Sequence, residues 1–153
     1  MELSGVFTGL GEEALDQLLK SVSMGKLKTF QLFERIKTRA HLGKLSSATL
    51  RGAGPRLMQR MAGGDEELAT ELSQAILISH FDLIVAVLNF LGIPHEEGFF
   101  VKDLDPAPYL TDGWKERVYG EFQGKFPNAL LLFYINHLSV ELLKADSVFQ
   151  PAA

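Results

Sequence analysis

The chain contains no cysteine among its 153 residues. This absence excludes disulfide bonds, a thiolate metal site and a cysteine nucleophile. A basic segment followed by an apolar stretch is also missing after Met1, where the chain continues with Glu2. We therefore expect no signal peptide and a cytoplasmic location. Internal repeats, heptad arrays and low-complexity tracts are absent too, and the length favours a single domain over residues 1–153.

The sequence also lacks an uninterrupted apolar run of the length that crosses a membrane. Its most apolar stretch, residues 75–91, lies at the short end for a span. Four polar residues interrupt this stretch: Ser79, His80, Asp82 and Asn89. Polar and ionisable side chains are costly in lipid, so the stretch is typical of a buried core helix, and we predict no membrane partner.

Each part of the chain has few charged residues of one sign. Residues 1–19 contain four acids and no lysine or arginine, whereas residues 20–60 contain ten bases and one acid, Glu34. The remainder is acidic, and the formal net charge is −4. This asymmetry predicts either a basic face for an anionic partner or an attraction between two parts of the protein.

The apolar spacing predicts an all-α fold: a single compact bundle of about five or six helices around a long central helix over residues 65–91. Asp65 is a suitable N-cap, Glu66 and Glu67 suit the first turn, and Gly92 with Pro94 marks the end. Apolar residues recur at helical spacing between these signals. At about 1.5 Å per residue, such a helix would be roughly 40 Å long.

The other segments are assigned from the same signals of periodicity, capping and chain breaks. Residues 1–11 contain glycine and are weakly patterned, so we predict an irregular arm there. The proline-containing stretch 92–110 is predicted to be a long connection, in which a strand pair is conceivable but lacks a convincing partner, and residues 146–153 to be a loose tail. Helices are predicted at Glu12–Val22, Lys26–Leu42, Asp112–Phe126 and Ala129–Ala145, with two short helices and a turn within residues 45–64.

Histidines provide the candidates for acid–base or metal chemistry. His80 lies within the apolar stripe of the central helix, where most such histidines are core residues. His95, Glu96 and Glu97 follow a proline in the long connection and would approach His80 only if that connection folds back along the helix. The alternative interpretation of these three residues is an exposed acidic turn.

His137 and Glu141 lie four residues apart on one predicted helix face, a spacing that suits either a side-chain pair or two ligands of one metal. The two-histidine zinc motif is absent, and no second Glu-x-x-His stands on a partner helix. We therefore predict no bound cofactor and do not predict an enzyme.

Residues 41–61 weakly resemble a helix-turn-helix pattern within the basic segment. Glycines at 52 and 54 and Pro55 would break the recognition helix after about two turns, which favours a simple connection between bundle helices. If this segment binds nucleic acid or another anion, the candidate contacts are Lys37, Arg39, Lys44, Arg51, Arg56 and Arg60.

Three classes of function follow. The leading hypothesis is a small interaction or structural protein that forms a homodimer, because the two most apolar helices carry hydrophobic residues on more than one side. The alternatives are a nucleic-acid-binding protein that uses residues 20–60, and a small metal-dependent or acid–base enzyme that uses His80 or His95.

Overall fold

A computed structural model describes residues 1–22 and 54–151 of the chain. Within these ranges the fold is mostly helical, which confirms the predicted all-α class. A short β-hairpin lies between the fifth and sixth of the described helices. The elements are α1 (Leu3–Leu10), α2 (Glu12–Ser21), α3 (Gly54–Ala62), α4 (Glu66–Ser79), α5 (Phe81–Leu91), β1 (His95–Glu96), β2 (Phe99–Phe100), α6 (Trp114–Phe122) and α7 (Asn128–Leu143).

The predicted central helix over residues 65–91 is wrong as a single element. Its two ends are as predicted: Asp65 Oδ1 accepts a hydrogen bond from the Leu68 N–H, and Gly92 ends the helix in the left-handed conformation. His80, however, leaves the helical region with φ −137° and ψ 49°. The chain bends there by 85°, so α4 and α5 are separate helices.

The residues around the bend give a physical reason for it. The Ser79 hydroxyl donates a hydrogen bond back to the carbonyl oxygen of Ala75 at 2.8 Å, an arrangement that competes with the regular helix pattern and often bends helices. The two halves also pack on different neighbours, since α4 contacts α1, α2 and α3 whereas α5 contacts α6. None of the described helices alone is long and apolar enough to cross a membrane, although α4 and α5 would reach that length and composition together.

The predicted irregular arm at residues 1–11 is also wrong, because Leu3–Leu10 form helix α1. Val6 and Phe7 are completely buried, and the ring of Phe7 stacks on Phe133 of α7 with 5.4 Å between centroids. Helix α1 contacts α2, α3, α4 and α7. Its two internal glycines weaken the local helical pattern, and tertiary packing overrides that weak propensity.

Helix α7 is the other extensively packed element. An unbroken run from Ala129 to Asn136 is buried, and the helix contacts α1, α2 and α6. Its apolar residues on several sides are therefore covered largely by its own chain. The apolar sides of α7 are thus accounted for by packing within the described part of the chain, and the homodimer stays a prediction.

The segment after α7, predicted to be a loose tail, makes specific contacts with α1 and α7 in the described residues up to 151. The side chain of Asn136, which is fully buried, accepts a hydrogen bond from the Phe149 N–H and donates one to the Phe149 carbonyl oxygen. Gln150 Nε2 donates to the carbonyl oxygen of Gly9 at 3.2 Å. A Cβ on Gly9 would collide with Val148, so the tail packs directly on α1.

The connection after α5 contains the β-hairpin. The two strands pair with each other, His95 opposite Phe100 and Glu96 opposite Phe99, which supplies the partner that the sequence did not indicate. Gly98 in the turn has φ +92°, and a Cβ there would lie 3.2 Å from Ile84 Cγ2. Glycine therefore allows the turn to approach α5 closely.

The remaining boundaries differ from the predictions by a few residues. Helix α2 agrees closely with its predicted range, and α3 includes the predicted second short helix of residues 45–64. Helix α6 spans Trp114–Phe122 and is shorter at both ends than the predicted Asp112–Phe126. Helix α7 spans Asn128–Leu143, within two residues of the predicted Ala129–Ala145 at each end. The predicted helix Lys26–Leu42 lies outside the described residues.

Candidate functional site

A pocket of about 510 Å³ opens at the bend between α4 and α5. The last two turns of α4 form one wall, and the first turn of α5 continues it at a steep angle. The hairpin turn and β2 form a second wall, and α7 forms the third. The lining residues are Gln74, Leu77, Ile78, Phe81, Ile84, Gly98, Phe99, Phe100, Tyr134 and His137.

The bend at His80 gives this pocket its concave shape. An uninterrupted helix would place the residues before and after position 80 along one straight axis, whereas the 85° bend sets Ile78 and Phe81 on converging walls. The hairpin then approaches from the other side, where the Phe99 ring contacts Phe81 with 5.8 Å between centroids. Phe99 is nevertheless 59% exposed, so the aromatic wall is reachable from solvent.

Tyr134 and His137 supply polar groups on the α7 side of the pocket. They lie three residues apart on the helix, and their rings are nearly parallel, with 6.4 Å between centroids and 17° between planes. His137 also contacts the ring of Phe133. Its Nδ1 atom is shielded from solvent and has no hydrogen-bond partner within the described part of the chain.

Burial keeps both of these side chains uncharged. It lowers the pKa of His137 from 6.5 to about 4, because the imidazolium form loses its hydration. The same loss of hydration raises the pKa of the Tyr134 phenol well above its ordinary value. At neutral pH the α7 wall therefore presents a phenol that donates a hydrogen bond and a neutral imidazole that accepts or donates one.

The low pKa of His137 links the stability of the fold to pH. Between pH 6.5 and about 4 the unfolded chain binds a proton that the folded chain does not, so stability present above pH 6.5 is lost as the pH falls towards 4. We expect the free energy of unfolding, measured by urea denaturation, to fall when the pH is lowered from 7 to about 4.5. The fall should be about 2 kcal/mol larger in the natural chain than in the variant His137→Gln. Equal losses in the two proteins would contradict a neutral, desolvated His137.

The structure places the predicted acid–base candidates apart from the pocket lining. His80 forms the bend itself: its N–H donates to the Leu77 carbonyl oxygen and its carbonyl oxygen accepts from the Ile84 N–H. His95 organises the hairpin, because Nε2 lies 2.8 Å from Asn89 Oδ1 and Nδ1 accepts from the Gly98 N–H.

The acidic neighbours of His95 follow the exposed-turn interpretation. Glu96 and Glu97 are both exposed, and Glu97 adopts a positive φ of 50° in the turn. Neither carboxylate lines the pocket. These residues therefore shape the hairpin that closes one side of the site.

The candidate metal pair is divided between two environments. His137 lines the pocket, whereas Glu141, one turn later, is exposed. In residues 1–22 and 54–151, no group of three or more His, Cys, Asp or Glu side chains is arranged to hold a metal ion. His137 is thus placed in a site, but beside Tyr134 rather than beside a second metal ligand.

Two of the candidate anion contacts fall in the described part of the chain. Arg60 forms an ion pair with Asp65 at 2.7 Å, and this contact supports the cap of α4. Arg56 is exposed on α3. Lys37, Arg39, Lys44 and Arg51 lie outside the described residues, so binding of nucleic acid through residues 20–60 stays a prediction.

Comparisons with protein-family models, with curated proteins and with solved structures find no match to this chain. The candidate function is therefore inferred from the chemistry of the pocket.

Sequence reasoning missed Tyr134, Gln74 and the two adjacent phenylalanines of β2. The available signal was the pair Tyr134 and His137, two polar aromatic side chains three residues apart on a mostly apolar helix.

Proposed function

We propose that this protein binds a small, mainly apolar molecule in the pocket between α4, α5, the hairpin and α7. The observation that carries the proposal is the pocket itself: about 510 Å³, with mostly apolar and aromatic walls and a few polar side chains, Gln74 on α4 and Tyr134 and His137 on α7. Small-molecule sites typically have volumes of about 300–1,000 Å³ and this composition, and they often lie between the helices of a bundle. Residues with perturbed pKa values in such a cleft add support.

Binding is favoured over catalysis by the chemistry of the lining. Tyr134 and His137 are the titratable residues among the lining side chains, and burial keeps both neutral. A neutral imidazole whose pKa is about 4 is a weak base at physiological pH, and general acid–base catalysis works best with a pKa near the working pH. These groups are better suited to orienting a ligand than to transferring its protons.

The proposal is tested with the neutral fluorescent probe N-phenyl-1-naphthylamine, whose emission rises in an apolar environment. We expect saturable binding by the natural chain and binding at least about tenfold weaker in Ile78→Trp, since the indole would occupy the pocket. Leu142→Trp is the matched control, because Leu142 is also half-buried but is not among the lining residues.

The control should bind the probe with an affinity within about twofold of the natural chain. Far-ultraviolet circular dichroism checks that both variants keep their helices. An absence of saturable binding by the natural chain, or equal binding by the two folded tryptophan variants, would refute a ligand function for this pocket.

Self-association remains a second proposal with a different basis from the one that the sequence suggested. Three phenylalanines on α5 and the hairpin are exposed: Phe90 by 43%, Phe99 by 59% and Phe100 by 39%. Exposed aromatic side chains are enriched at protein interfaces. A monomer in sedimentation velocity at micromolar concentration would exclude a stable homodimer.

A further inference from the structure

The polar groups of the pocket define the chemical class of its ligand. We propose that the ligand is an uncharged molecule with an apolar, ring-sized body and one hydroxyl group, the hydroxyl lying against Tyr134 and His137. This inference rests on the proposed function and adds the charge and the polar group of the ligand.

The pocket lining bears on the charge of the ligand. Among the residues that the structure describes, those lining the pocket include no lysine, arginine, aspartate or glutamate. A charged ligand would leave water without meeting a side chain of opposite charge, and burial of an unpaired ion costs far more than burial of a neutral polar group. The pocket already disfavours the charged form of its own histidine. The uncharged state of the ligand follows from this lining.

Tyr134 and His137 are the hydrogen-bonding groups on the α7 side of the pocket. Tyr134 lines the pocket with only 3% of its surface exposed, and a tyrosine hydroxyl in such a position usually has a hydrogen-bond partner. The His137 ring contacts Phe133 and Tyr134, and its Nδ1 atom has no hydrogen-bond partner within the described part of the chain. A phenol donates and a neutral imidazole accepts at its unprotonated nitrogen. A ligand hydroxyl placed against both side chains can accept from the phenol and donate to the imidazole.

The aromatic wall of the pocket bears on the shape of the ligand's apolar body. Three phenylalanines, Phe81, Phe99 and Phe100, line the side formed by α5 and the hairpin. Phe81 and Phe99 are tilted by 58° relative to each other, so they present both a ring face and a ring edge. Aromatic rings pack favourably in offset and edge-to-face arrangements. A flat ring system can therefore contact this wall while its hydroxyl faces α7.

The test compares three ligands that share one two-ring body: naphthalene, 1-naphthol and 1-naphthoate. Each displaces N-phenyl-1-naphthylamine at pH 7, where naphthol is neutral and naphthoate is an anion. We expect naphthol to bind about tenfold more tightly than naphthalene, which corresponds to one well-made hydrogen-bonded group, and naphthoate to bind most weakly. In Tyr134→Phe the ratio of the naphthol and naphthalene affinities should fall to within about twofold of one.

The outcomes separate this inference from the proposed function. If the probe and naphthalene bind but naphthol has no advantage, or keeps its advantage in Tyr134→Phe, the pocket binds ligands and the hydroxyl assignment is wrong. Tightest binding by naphthoate would overturn the assignment of an uncharged ligand. If the probe and all three naphthalene compounds fail to bind the folded natural chain, the proposed function itself is wrong.

Discussion

Replacement of Phe7 by alanine should lower the free energy of unfolding by about 3–5 kcal/mol. Phe7 is completely buried in α1 and its ring stacks on Phe133 of α7. Truncation removes the apolar area of the ring, leaves a cavity among the helices that α1 contacts, and removes the aromatic contact as well. Urea denaturation at pH 7, followed by circular dichroism, measures the change.

Thr8→Ala is the control for this experiment. Thr8 is the next residue of the same helix, and it is exposed, so its replacement should change stability by less than about 0.5 kcal/mol. A loss below about 1 kcal/mol for Phe7→Ala would mean that α1 contributes little to the core. That result would restore the irregular arm that the sequence pattern favours for residues 1–11.

The features that sequence reasoning located correctly depend on local chemistry. The start of α4 at Asp65 requires one side-chain oxygen facing a nearby N–H. The end of α5 at Gly92 requires a left-handed residue, which glycine adopts without strain. Both signals lie within a few residues of the position they specify, and they can be read without knowledge of the fold.

The features that sequence reasoning missed depend on contacts between distant parts of the chain. Gly5 and Gly9 make α1 a weak helix in isolation, but the surrounding α2, α3, α4 and α7 stabilise it. The bend at His80 is similar, because periodicity continues across it and only the packing of α4 and α5 on different neighbours separates them. His80 interrupts an apolar run in the sequence, but a histidine alone does not specify a bend.

The candidate site combines both kinds of information. His137 was identified from its spacing to Glu141, but the structure directs it toward Tyr134 and the pocket. The lining extends from Gln74 to His137, so no local motif contains it. The bend and the hairpin bring these segments together, and neither element was predicted with its observed geometry. The set of residues that line the pocket is therefore the feature hardest to predict from the sequence, because tertiary packing brings them together.

The junction between α7 and the C-terminal segment should depend strongly on Asn136. Replacement of this residue by leucine, which has a similar volume, should lower the free energy of unfolding by about 2–4 kcal/mol. The Asn136 side chain bonds both backbone groups of Phe149 and also donates to the Leu132 carbonyl oxygen. With leucine, the Phe149 N–H and carbonyl oxygen lose their partners, and the segment must either bury them unpaired or detach from α1 and α7.

A double-mutant cycle distinguishes this mechanism from a general disturbance of the core. In a chain that ends at Ser147, the groups that Asn136 holds are absent, so Asn136→Leu should cost at least about 1 kcal/mol less than it does in the full chain. Its cost should then be small, because the hydrogen bond to the Leu132 carbonyl oxygen is the one of these three bonds that remains. Equal costs in the two chains would show that Asn136 stabilises α7 independently of the tail. A lower cost in the shortened chain would show that Asn136 acts through the segment after Ser147. That segment also packs on α1, where Val148 lies against Gly9.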